Sequence, residues 1–308
     1  MALLVCVCNR NNDKLMAALR AALPQETILE WPLQDEQMLT QVEFILAWNA
    51  PSSLWPKCPN LKVVHSFGAG VDGIPINLLP QHVEVARIVD PYLADDMAQY
   101  VLGHILNHKL RVQQYRQQQS EQVWRPKRAR PGHCVGIMGM GQLGQAVAAQ
   151  LLSNKFTLKG WSRSEKSVAG VDHYHGHDAL PAFLSDLDYL VCLLPLTADT
   201  RGILNAEVFA ALPDHSVIIN VARGAHLDEA ALLRALEQGC LGGAVLDVFA
   251  EEPLPEQSPL WCHPKVTITP HVAALTSLST ATDQIVMNYE RMKQQQTLRH
   301  VIDKSAGY

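Results

Sequence analysis

Three polar residues at the ends of predicted strands could together protonate a substrate oxygen. Arg223 follows the run "INVA", Glu252 lies in "LDVFAEEPLP", and His271 lies in "TPHVAA". Histidine is the natural proton donor near neutral pH, and a carboxylate beside it orients the ring and favours its charged form. Arginine can bind a substrate carboxylate and polarise the neighbouring carbonyl. Each residue alone has an ordinary alternative: a surface turn, a solvated acid before a proline, or a strand-end histidine.

A glycine-rich turn, "GMGQLG", predicts a dinucleotide site. Gly139, Gly141 and Gly144 have the G-x-G-x-x-G spacing, with an apolar run before them and an alanine-rich helical pattern after them. The first glycine permits a tight turn, the second lets the backbone approach a pyrophosphate, and the third lets the helix pack on the strand. The helix N-terminus, with Gln142 and Leu143, offers N–H groups to the phosphates. A purely structural turn is the alternative.

A dinucleotide and a proton donor in one chain indicate hydride transfer. Hydride addition to a 2-oxo acid builds negative charge on the carbonyl oxygen, which must then be protonated. In a doubly wound sheet, ligands bind outside the carboxyl ends of the strands, so Arg223, Glu252 and His271 are expected to face the nicotinamide. We therefore predict an NAD(P)-dependent oxidoreductase of small 2-oxo or 2-hydroxy acids.

The end of the second strand in the dinucleotide region predicts which cofactor is used. NAD sites usually carry Asp or Glu about 20 residues after the first glycine. The segment "WSRSEK" offers Ser162, Arg163 and Ser164 instead. A missing carboxylate removes repulsion, and guanidinium and hydroxyl groups can donate to a 2′-phosphate. NADPH is therefore the predicted cofactor. NAD is possible, because Glu165 could take the acidic role if the strand ends later.

The elements that must position these residues form an alternating pattern. Short apolar runs alternate with helical patterns, which is typical of β-α-β units and parallel sheets. The first turn, Asn9–Asn12, has no glycine, so the first unit is not expected to bind a pyrophosphate. We predict an α/β protein with two doubly wound parallel-sheet domains. The predicted substrate domain covers residues 1–95 plus 277–308, and the predicted cofactor domain covers residues 96–276.

The elements expected on this basis are ten strands and three helices. The predicted strands are 2–8, 44–48, 61–67, 83–88, 134–139, 157–162, 189–195, 216–222, 242–248 and 265–270. The predicted helices are 12–23, 93–118 and 277–296, and a proline-rich basic segment at 125–133 separates the two series.

The composition argues against several classes of protein. The chain has 308 residues, a hydrophobic content of 48% and a formal net charge of −5. It has no basic stripe for nucleic acid, and its apolar runs are far shorter than the roughly 20 residues of a membrane span. The N-terminal "MALLVCVCNR" is interpreted as a buried strand rather than a signal peptide. The expected partner is a small-molecule substrate, with neither nucleic acid nor membrane.

The cysteines and a group of histidines are of residue types that can ligate metals. Seven cysteines without a C-x-x-C motif favour a reduced, cytoplasmic setting. Cys6 and Cys8 are expected to point to opposite faces of a buried strand. In "DHYHGHD", His173, His175 and His177 alternate and could ligate a metal on one face of a strand. A solvated connecting segment is the preferred interpretation, so no metal site is predicted.

Five motifs in order resemble the D-isomer-specific 2-hydroxyacid dehydrogenase family. They are "GMGQLG", "LPLTADTRGILN", "INVARG", "LDVFAEEPLP" and "TPHVAA", with "SFGAGVD" and "EQVWRP" upstream and "VIDKSAGY" at the close. The resemblance implies that Arg223, Glu252 and His271 are catalytic. It implies a flavodoxin-like substrate domain, split between the termini, with an inserted Rossmann cofactor domain. It also implies a homodimer formed through the cofactor domains.

The same resemblance implies further contacts. Backbone N–H groups of Ala69 and Gly70 would hold the substrate carboxylate. Within the family, "ILAWNAP" and "WSRS" resemble the glyoxylate/hydroxypyruvate reductase A group, which places Trp48 in the substrate loop. Trp48 could instead be a core residue, because "FILAW" has the pattern of a buried strand. Further cofactor contacts are implied for Leu194, Pro195, Thr200, Val221, Ala222, Asp247 and Ala273.

Three functions are compatible with these patterns. The first is NADPH-dependent reduction of glyoxylate and hydroxypyruvate. The second is another dehydrogenase of the family, of the phosphoglycerate or D-lactate type. The third is an NAD(H)-sensing corepressor, because some relatives keep this fold for partner recognition. Turnover of glyoxylate with NADPH separates the enzymes from the binding protein.

Overall fold

The computed structural model describes residues 1–8 and 10–304. The chain divides into two compact units, one formed by Met1–Pro91 with Thr276–Tyr308 and the other by Tyr92–Leu275. They are called unit 1 and unit 2 below. The last four residues of the closing "VIDKSAGY" motif, and Asn9 of the first turn, lie outside the described residues.

Unit 1 is built on a parallel sheet. Within its described residues, the strands are β1 (Ala2–Val7), β2 (Thr27–Glu30), β3 (Val42–Trp48), β4 (Val63–Ser66) and β5 (Glu84–Ala86). The spatial order is β2-β1-β3-β4-β5, which is the flavodoxin-like order. The helices α1 (Asp13–Ala22) and α8 (Leu278–Lys293) share one apolar cluster with this sheet, so the C-terminal helix completes unit 1.

Both faces of the unit 1 sheet are buried, as the sequence predicted for a doubly wound sheet. In β1, Leu3 and Val5 belong to the cluster with α1 and α8, whereas Leu4 and Cys6 belong to a second cluster on the other face. Successive residues of a strand point to opposite faces, so a continuous apolar run is required here.

Unit 2 is built on a larger parallel sheet. Its described strands are β6 (Cys134–Met138), β7 (Thr157–Ser162), β8 (Val171–His175), β9 (Tyr189–Cys192), β10 (Val217–Asn220), β11 (Gly243–Leu246) and β12 (Val266–Ile268). The spatial order is β12-β11-β10-β9-β6-β7-β8, which is the Rossmann order extended by one strand. The prediction of two doubly wound α/β folds is confirmed.

Helices cover both faces of the unit 2 sheet. Those described are α2 (Pro91–Lys109), α3 (Val112–Ser120), α4 (Gln142–Ser153), α5 (Leu180–Leu184), α6 (Ala206–Ala211) and α7 (Glu229–Glu237). Buried side chains of α2 and α4 belong to one apolar cluster, and those of α5, α6 and α7 belong to another. Connections of this kind place the carboxyl ends of all the strands at one edge.

The structure differs from the predicted elements at three places. The single helix predicted at 93–118 is two helices, because Arg111 adopts a left-handed conformation with φ 61° between α2 and α3. The strand β2 was not predicted. The segment with the three histidines, predicted as a connection, includes β8, which pairs with β7 at the edge of the sheet.

The prediction for Cys6 and Cys8 was wrong. Residues two apart in a strand face the same side, and the two Sγ atoms lie 4.0 Å apart. Burial, followed by the neighbouring Cys8, raises the pKa of the Cys6 thiol, so it stays protonated. All seven cysteines of the chain are unpaired.

Burial of His65 should make the free energy of unfolding depend on pH. Burial lowers the pKa of His65 to about 4, whereas an unfolded histidine titrates near 6.5. Between these values the unfolded state binds a proton that the folded state does not bind. The free energy of unfolding should therefore fall as pH decreases from about 6.5 to about 4, by on the order of 3 kcal/mol from this residue.

Denaturant unfolding of wild type and His65→Gln over this pH range tests the effect. The slope of unfolding free energy against pH should be smaller in His65→Gln, which has no imidazole to protonate. His82→Gln, at an exposed position of the same unit, should keep the wild-type slope. Equal slopes in all three proteins would show that His65 does not contribute.

Candidate active site

The three residues predicted to be catalytic follow three neighbouring strands of unit 2. The strands β10, β11 and β12 are paired in register and end at one edge of the sheet. Arg223 follows β10, Glu252 follows β11 and His271 follows β12. The fold therefore brings these segments together although they are distant in sequence.

Glu252 and His271 form a hydrogen-bonded pair. His271 Nδ1 lies 2.8 Å from Glu252 Oε2, and Glu252 Oε1 accepts a 3.0 Å hydrogen bond from the Phe249 N–H. Partial burial acts to raise the pKa of Glu252, but the hydrogen bonds from His271 and Phe249 and the charges of His271 and Arg223 outweigh it, so the pKa is lowered. The ionised carboxylate therefore accepts the hydrogen bond from Nδ1 and fixes the orientation of the ring.

The backbone at His271 is held in an uncommon conformation by Asp247. His271 has φ 56°, a region that residues other than glycine seldom adopt. Its N–H donates to the Asp247 carbonyl at 2.8 Å. The Asp247 carboxylate accepts hydrogen bonds from Thr269 Oγ1, Val272 N and Ala273 N. Asp247 thus anchors the turn that carries the imidazole.

Tyr100 extends this network from helix α2. Its hydroxyl lies 2.5 Å from Thr269 Oγ1. Burial raises the pKa of Tyr100 well above its usual value, so the hydroxyl stays protonated. Thr269 begins the "TPHVAA" motif, but sequence reasoning selected neither Thr269 nor Tyr100, because their contribution depends on a contact between distant segments.

Arg223 lies in a turn held by two buried side chains. Asn220 Nδ2 donates to the Arg223 carbonyl at 3.1 Å, and the Arg223 N–H donates to His226 Nδ1 at 3.2 Å. His226 Nε2 lies 3.3 Å from the Pro195 carbonyl, which links this turn to the loop after β9. Sequence reasoning missed Asn220 and His226, although both flank Arg223 in "INVARGAH".

Gly224 allows the Arg223 turn to approach the segment that leads to Glu252. A Cβ atom at Gly224 would lie 1.8 Å from the Phe249 carbonyl carbon and 2.4 Å from Ala250 N. Because these are backbone atoms, no side-chain movement would relieve the clash. The absence of a side chain at Gly224 is therefore what lets the two loops meet.

The glycine-rich turn has the shape expected of a pyrophosphate site. Gly139 has φ 103°, and a Cβ atom there would lie 2.7 Å from the Leu193 carbonyl carbon. A Cβ at Gly144 would lie 2.0 Å from the Gly139 carbonyl oxygen. At Gly141, just before α4, a Cβ would meet nothing within 4 Å among the described residues. The fold requires the other two glycines, whereas Gly141 leaves open space at a helix N-terminus, which fits a dinucleotide phosphate.

The predicted 2′-phosphate residues lie at the end of β7 and directly after it. Ser162 is buried, and its hydroxyl donates to the Ser164 carbonyl at 2.8 Å, whereas the residues Arg163 and Ser164 are exposed. Lys166 Nζ donates to the Met140 carbonyl in the glycine-rich turn at 2.9 Å. Lys166 is a further cation at this edge of the sheet, and it was not predicted from the sequence.

The remaining predicted cofactor residues border the same edge. Thr200 Oγ1 donates to the Pro195 carbonyl at 2.7 Å and accepts from Thr197 N at 2.8 Å, so it closes the loop after β9. Leu194, Val221, Ala222 and Ala273 are all buried at the ends of strands or in the turns that follow them.

The predicted substrate residues of unit 1 lie next to one another. A Cβ atom at Gly68 would lie 2.5 Å from Trp48 Cζ3, so the indole covers the turn that continues with Ala69 and Gly70. Ser66 Oγ donates to the Gly70 carbonyl at 2.6 Å and shapes this turn. Trp48 is half-buried and packs against an apolar cluster, so it combines core contacts with a position at the carboxyl ends of β3 and β4.

The three histidines of β8 and the residues after it do not form a metal site. His173 bonds Ser162, and the residues His175 and His177 are exposed. Across residues 1–8 and 10–304, no three His, Cys, Asp or Glu side chains are arranged to hold a metal ion.

Comparison with known proteins decides the family. Residues 102–273 match the family described as D-isomer specific 2-hydroxyacid dehydrogenase, NAD binding domain. The chain belongs to this family. The matched region contains Arg223, Glu252 and His271.

Several relatives match over nearly their whole length. The chain is 40% identical to a glyoxylate/hydroxypyruvate reductase A of Serratia proteamaculans over 97% of both chains. An NADPH-dependent glyoxylate/hydroxypyruvate reductase of Sinorhizobium meliloti, solved with NADP and sulfate, is 38% identical, with a TM-score of 0.89 and 100% of both chains covered. A D-isomer specific 2-hydroxyacid dehydrogenase of Xanthobacter autotrophicus, solved with NADPH and MES, is 38% identical, with a TM-score of 0.88 and coverage of 100% and 99%.

Within the part of the chain that the structure describes, no helix is both long and apolar enough to cross a membrane.

Proposed function

We propose that this dehydrogenase reduces small 2-oxo acids, glyoxylate and hydroxypyruvate foremost, with NADPH as the reductant. The observation that carries the proposal is the Glu252–His271 pair, at 2.8 Å, with the charge of Arg223 acting on the same carboxylate. The two glyoxylate/hydroxypyruvate reductases of Serratia proteamaculans and Sinorhizobium meliloti support the choice of substrate, because each matches at least 97% of this chain.

The residues that hold the cofactor are proposed from the shape of its site. Gly141 and the N-terminus of α4 receive the pyrophosphate, and Arg163 and Ser164 receive the 2′-phosphate. NAD remains a possible second cofactor, because Glu165 lies in the same exposed segment. When bound, NADPH supplies the hydride. The buried residues at the strand ends exclude water from the nicotinamide.

The polar residues of unit 2 bind the substrate and supply the proton in this proposal. Arg223 binds the substrate carboxylate and polarises the carbonyl. The carbonyl carbon receives the hydride, and the oxygen receives the proton from His271 Nε2, so that the 2-oxo acid becomes a 2-hydroxy acid. The Nε2 atom is suited to this because Nδ1 is held by Glu252. Glu252 stabilises the imidazolium before the proton leaves.

Unit 1 contributes the proposed substrate contacts. The backbone N–H groups of Ala69 and Gly70 bind the substrate carboxylate. Trp48 covers the neighbouring turn and limits the size of the substrate side chain. This arrangement favours small 2-oxo acids over longer ones.

Initial rates of cofactor oxidation test the proposed function. The rates are measured with glyoxylate, hydroxypyruvate, pyruvate and 3-phosphohydroxypyruvate, each with NADPH and NADH. The highest kcat/KM is expected with NADPH and the first two acids. A preference for pyruvate or the phosphorylated acid would instead indicate a D-lactate or phosphoglycerate type of dehydrogenase. If no acid is reduced while the cofactor still binds, a corepressor-like function would be favoured.

Arg163 should determine the preference for NADPH. Replacing it with alanine removes a charge-assisted hydrogen bond to the 2′-phosphate, so KM for NADPH should rise by about 10- to 100-fold, and KM for NADH should change little. Arg234→Ala, at an exposed position of α7, is the matched control and should behave as wild type. Steady-state kinetics with both cofactors measure the effect. Equal losses with NADPH and NADH would exclude this role for Arg163.

We also propose a homodimer formed through unit 2. Trp124 is 97% exposed and Val123 is 38% exposed. Both line a groove of about 480 Å³ together with Tyr115, Gln118, Gln119, Gln122, Arg125 and Pro126. An exposed tryptophan beside a groove is typical of a protein interface. Sedimentation equilibrium should give twice the chain mass, and a monomer at micromolar concentration would contradict the proposal.

A cytoplasmic location is proposed from the cysteines. All seven are unpaired, which fits a reducing compartment. Fractionation of cells that express the protein would test this.

A further inference from the structure

His173 lies beside the turn that is proposed to bind the 2′-phosphate. It belongs to the edge strand β8, and its Nε2 lies 2.9 Å from Ser162 Oγ at the end of β7. The same Oγ donates to the Ser164 carbonyl at 2.8 Å. The imidazole, the hydroxyl and the carbonyl therefore form one chain of hydrogen bonds that ends inside the turn.

The direction of these hydrogen bonds follows from the number of protons. The Ser162 hydroxyl has one proton, which it donates to Ser164. It must therefore accept from His173, so Nε2 carries the proton of a neutral imidazole. His173 Nδ1 is buried and has no partner among the described residues, so a second proton there would lack an acceptor.

Several groups around His173 influence its protonation. Burial lowers the pKa of His173, and the positive charges of His175 and Lys166 lower it further, against the opposing charge of Glu165. Near neutral pH the imidazole is uncharged. It acts as a fixed donor to Ser162 rather than as a cation for the phosphate.

Two further hydrogen bonds link the end of β7 to the residue after β8. Trp161 Nε1 donates to the Gly176 carbonyl at 2.8 Å, and the Gly176 N–H donates to the Ser162 carbonyl at 3.2 Å. These two hydrogen bonds fasten the end of β7 to Gly176, the residue that follows β8. With the Ser164 carbonyl directed at Ser162, the residues Arg163 and Ser164 are left at the exposed edge.

We propose that His173 is a positioning residue for NADPH specificity, which acts through Ser162 to hold the Ser162–Ser164 turn in the form that binds the adenosine 2′-phosphate. The proposal rests on the proposed function. It assigns a role to a histidine that belongs to no metal site. NADH has no 2′-phosphate, so its binding does not depend on this order in the turn.

Kinetics of His173→Leu with NADPH and NADH test the proposal. The leucine removes the donor, and KM for NADPH should rise about tenfold, whereas KM for NADH and kcat with either cofactor should stay within about twofold. In His173→Gln, the side-chain amide again offers an N–H to Ser162, and KM for NADPH should recover to within about threefold of wild type. His177→Leu, at an exposed position just beyond β8, is the control and should match wild type.

The outcomes separate this proposal from the proposed function. If wild type prefers NADPH but His173→Leu raises KM for both cofactors equally, or for neither, the positioning role is wrong. If wild type oxidises neither cofactor with any 2-oxo acid, the proposed function fails first. The ratio of kcat/KM for NADPH to that for NADH remains informative if His173→Leu is less stable, because both values come from the same folded fraction. A failure of His173→Gln to restore this ratio would also contradict the proposal.

Discussion

Replacing His271 with glutamine should lower kcat for glyoxylate reduction by about 10²- to 10⁴-fold, the contribution of a positioned general acid. The glutamine amide can still donate a hydrogen bond to the Glu252 carboxylate, but it cannot deliver a proton to the developing alkoxide. Binding of NADPH should persist, because the glycine-rich turn and the end of β7 are unaffected. Steady-state rates and a fluorescence titration with NADPH measure the two properties separately.

The control for His271 is another histidine of unit 2. His177→Gln changes an exposed residue that follows β8 and should leave kcat unchanged. If His271→Gln retained more than about one tenth of wild-type kcat, the proton would have to come from another group or from water.

The second large effect is expected at Arg223. In the proposed mechanism Arg223 binds the substrate carboxylate and polarises the carbonyl, so Arg223→Gln should lower kcat/KM by about 10²- to 10³-fold. Both KM and kcat should worsen, because the interaction exists in the bound substrate and strengthens in the transition state. This pattern differs from that of His271→Gln, in which kcat carries most of the loss.

Two further variants separate charge from geometry at Arg223. Arg223→Lys keeps the charge but not the planar, two-pronged donor, so it should recover only part of the activity. Arg234→Gln removes an exposed arginine of the same unit and should have no effect. A loss in Arg223→Gln confined to kcat, with KM unchanged, would contradict a role in binding the carboxylate.

The sequence predicted the site because its residues follow strong strand patterns. In a parallel sheet the carboxyl ends meet at one edge, so Arg223, Glu252 and His271 could be placed together without coordinates. The supporting contacts could not be predicted in this way. The close approach of Gly224 to Phe249 depends on how two distant loops pack, and local sequence carries no record of it.

The elements that were predicted wrongly lack the usual local signals. Strand β8 lies at the sheet edge, and its residues are exposed or half-buried, so it has no apolar alternation. The break between α2 and α3 occurs at Arg111, which is left-handed, although neither glycine nor proline marks the position. The prediction that Cys6 and Cys8 point to opposite faces was wrong for a different reason, because residues two apart in a strand share a face.

We propose that Glu252 and His271 act as one proton-donating unit, and the pH dependence of kcat/KM for glyoxylate reduction tests this most directly. Reduction needs the protonated imidazole, which the Glu252 carboxylate stabilises across their 2.8 Å contact. Because reduction takes up a proton, activity should fall as pH rises. In Glu252→Gln, which keeps the shape without the charge, this alkaline limb should move to lower pH. If the limb stays in place, Glu252 is not the electrostatic partner of His271, and the neighbouring Glu251 becomes the residue to replace.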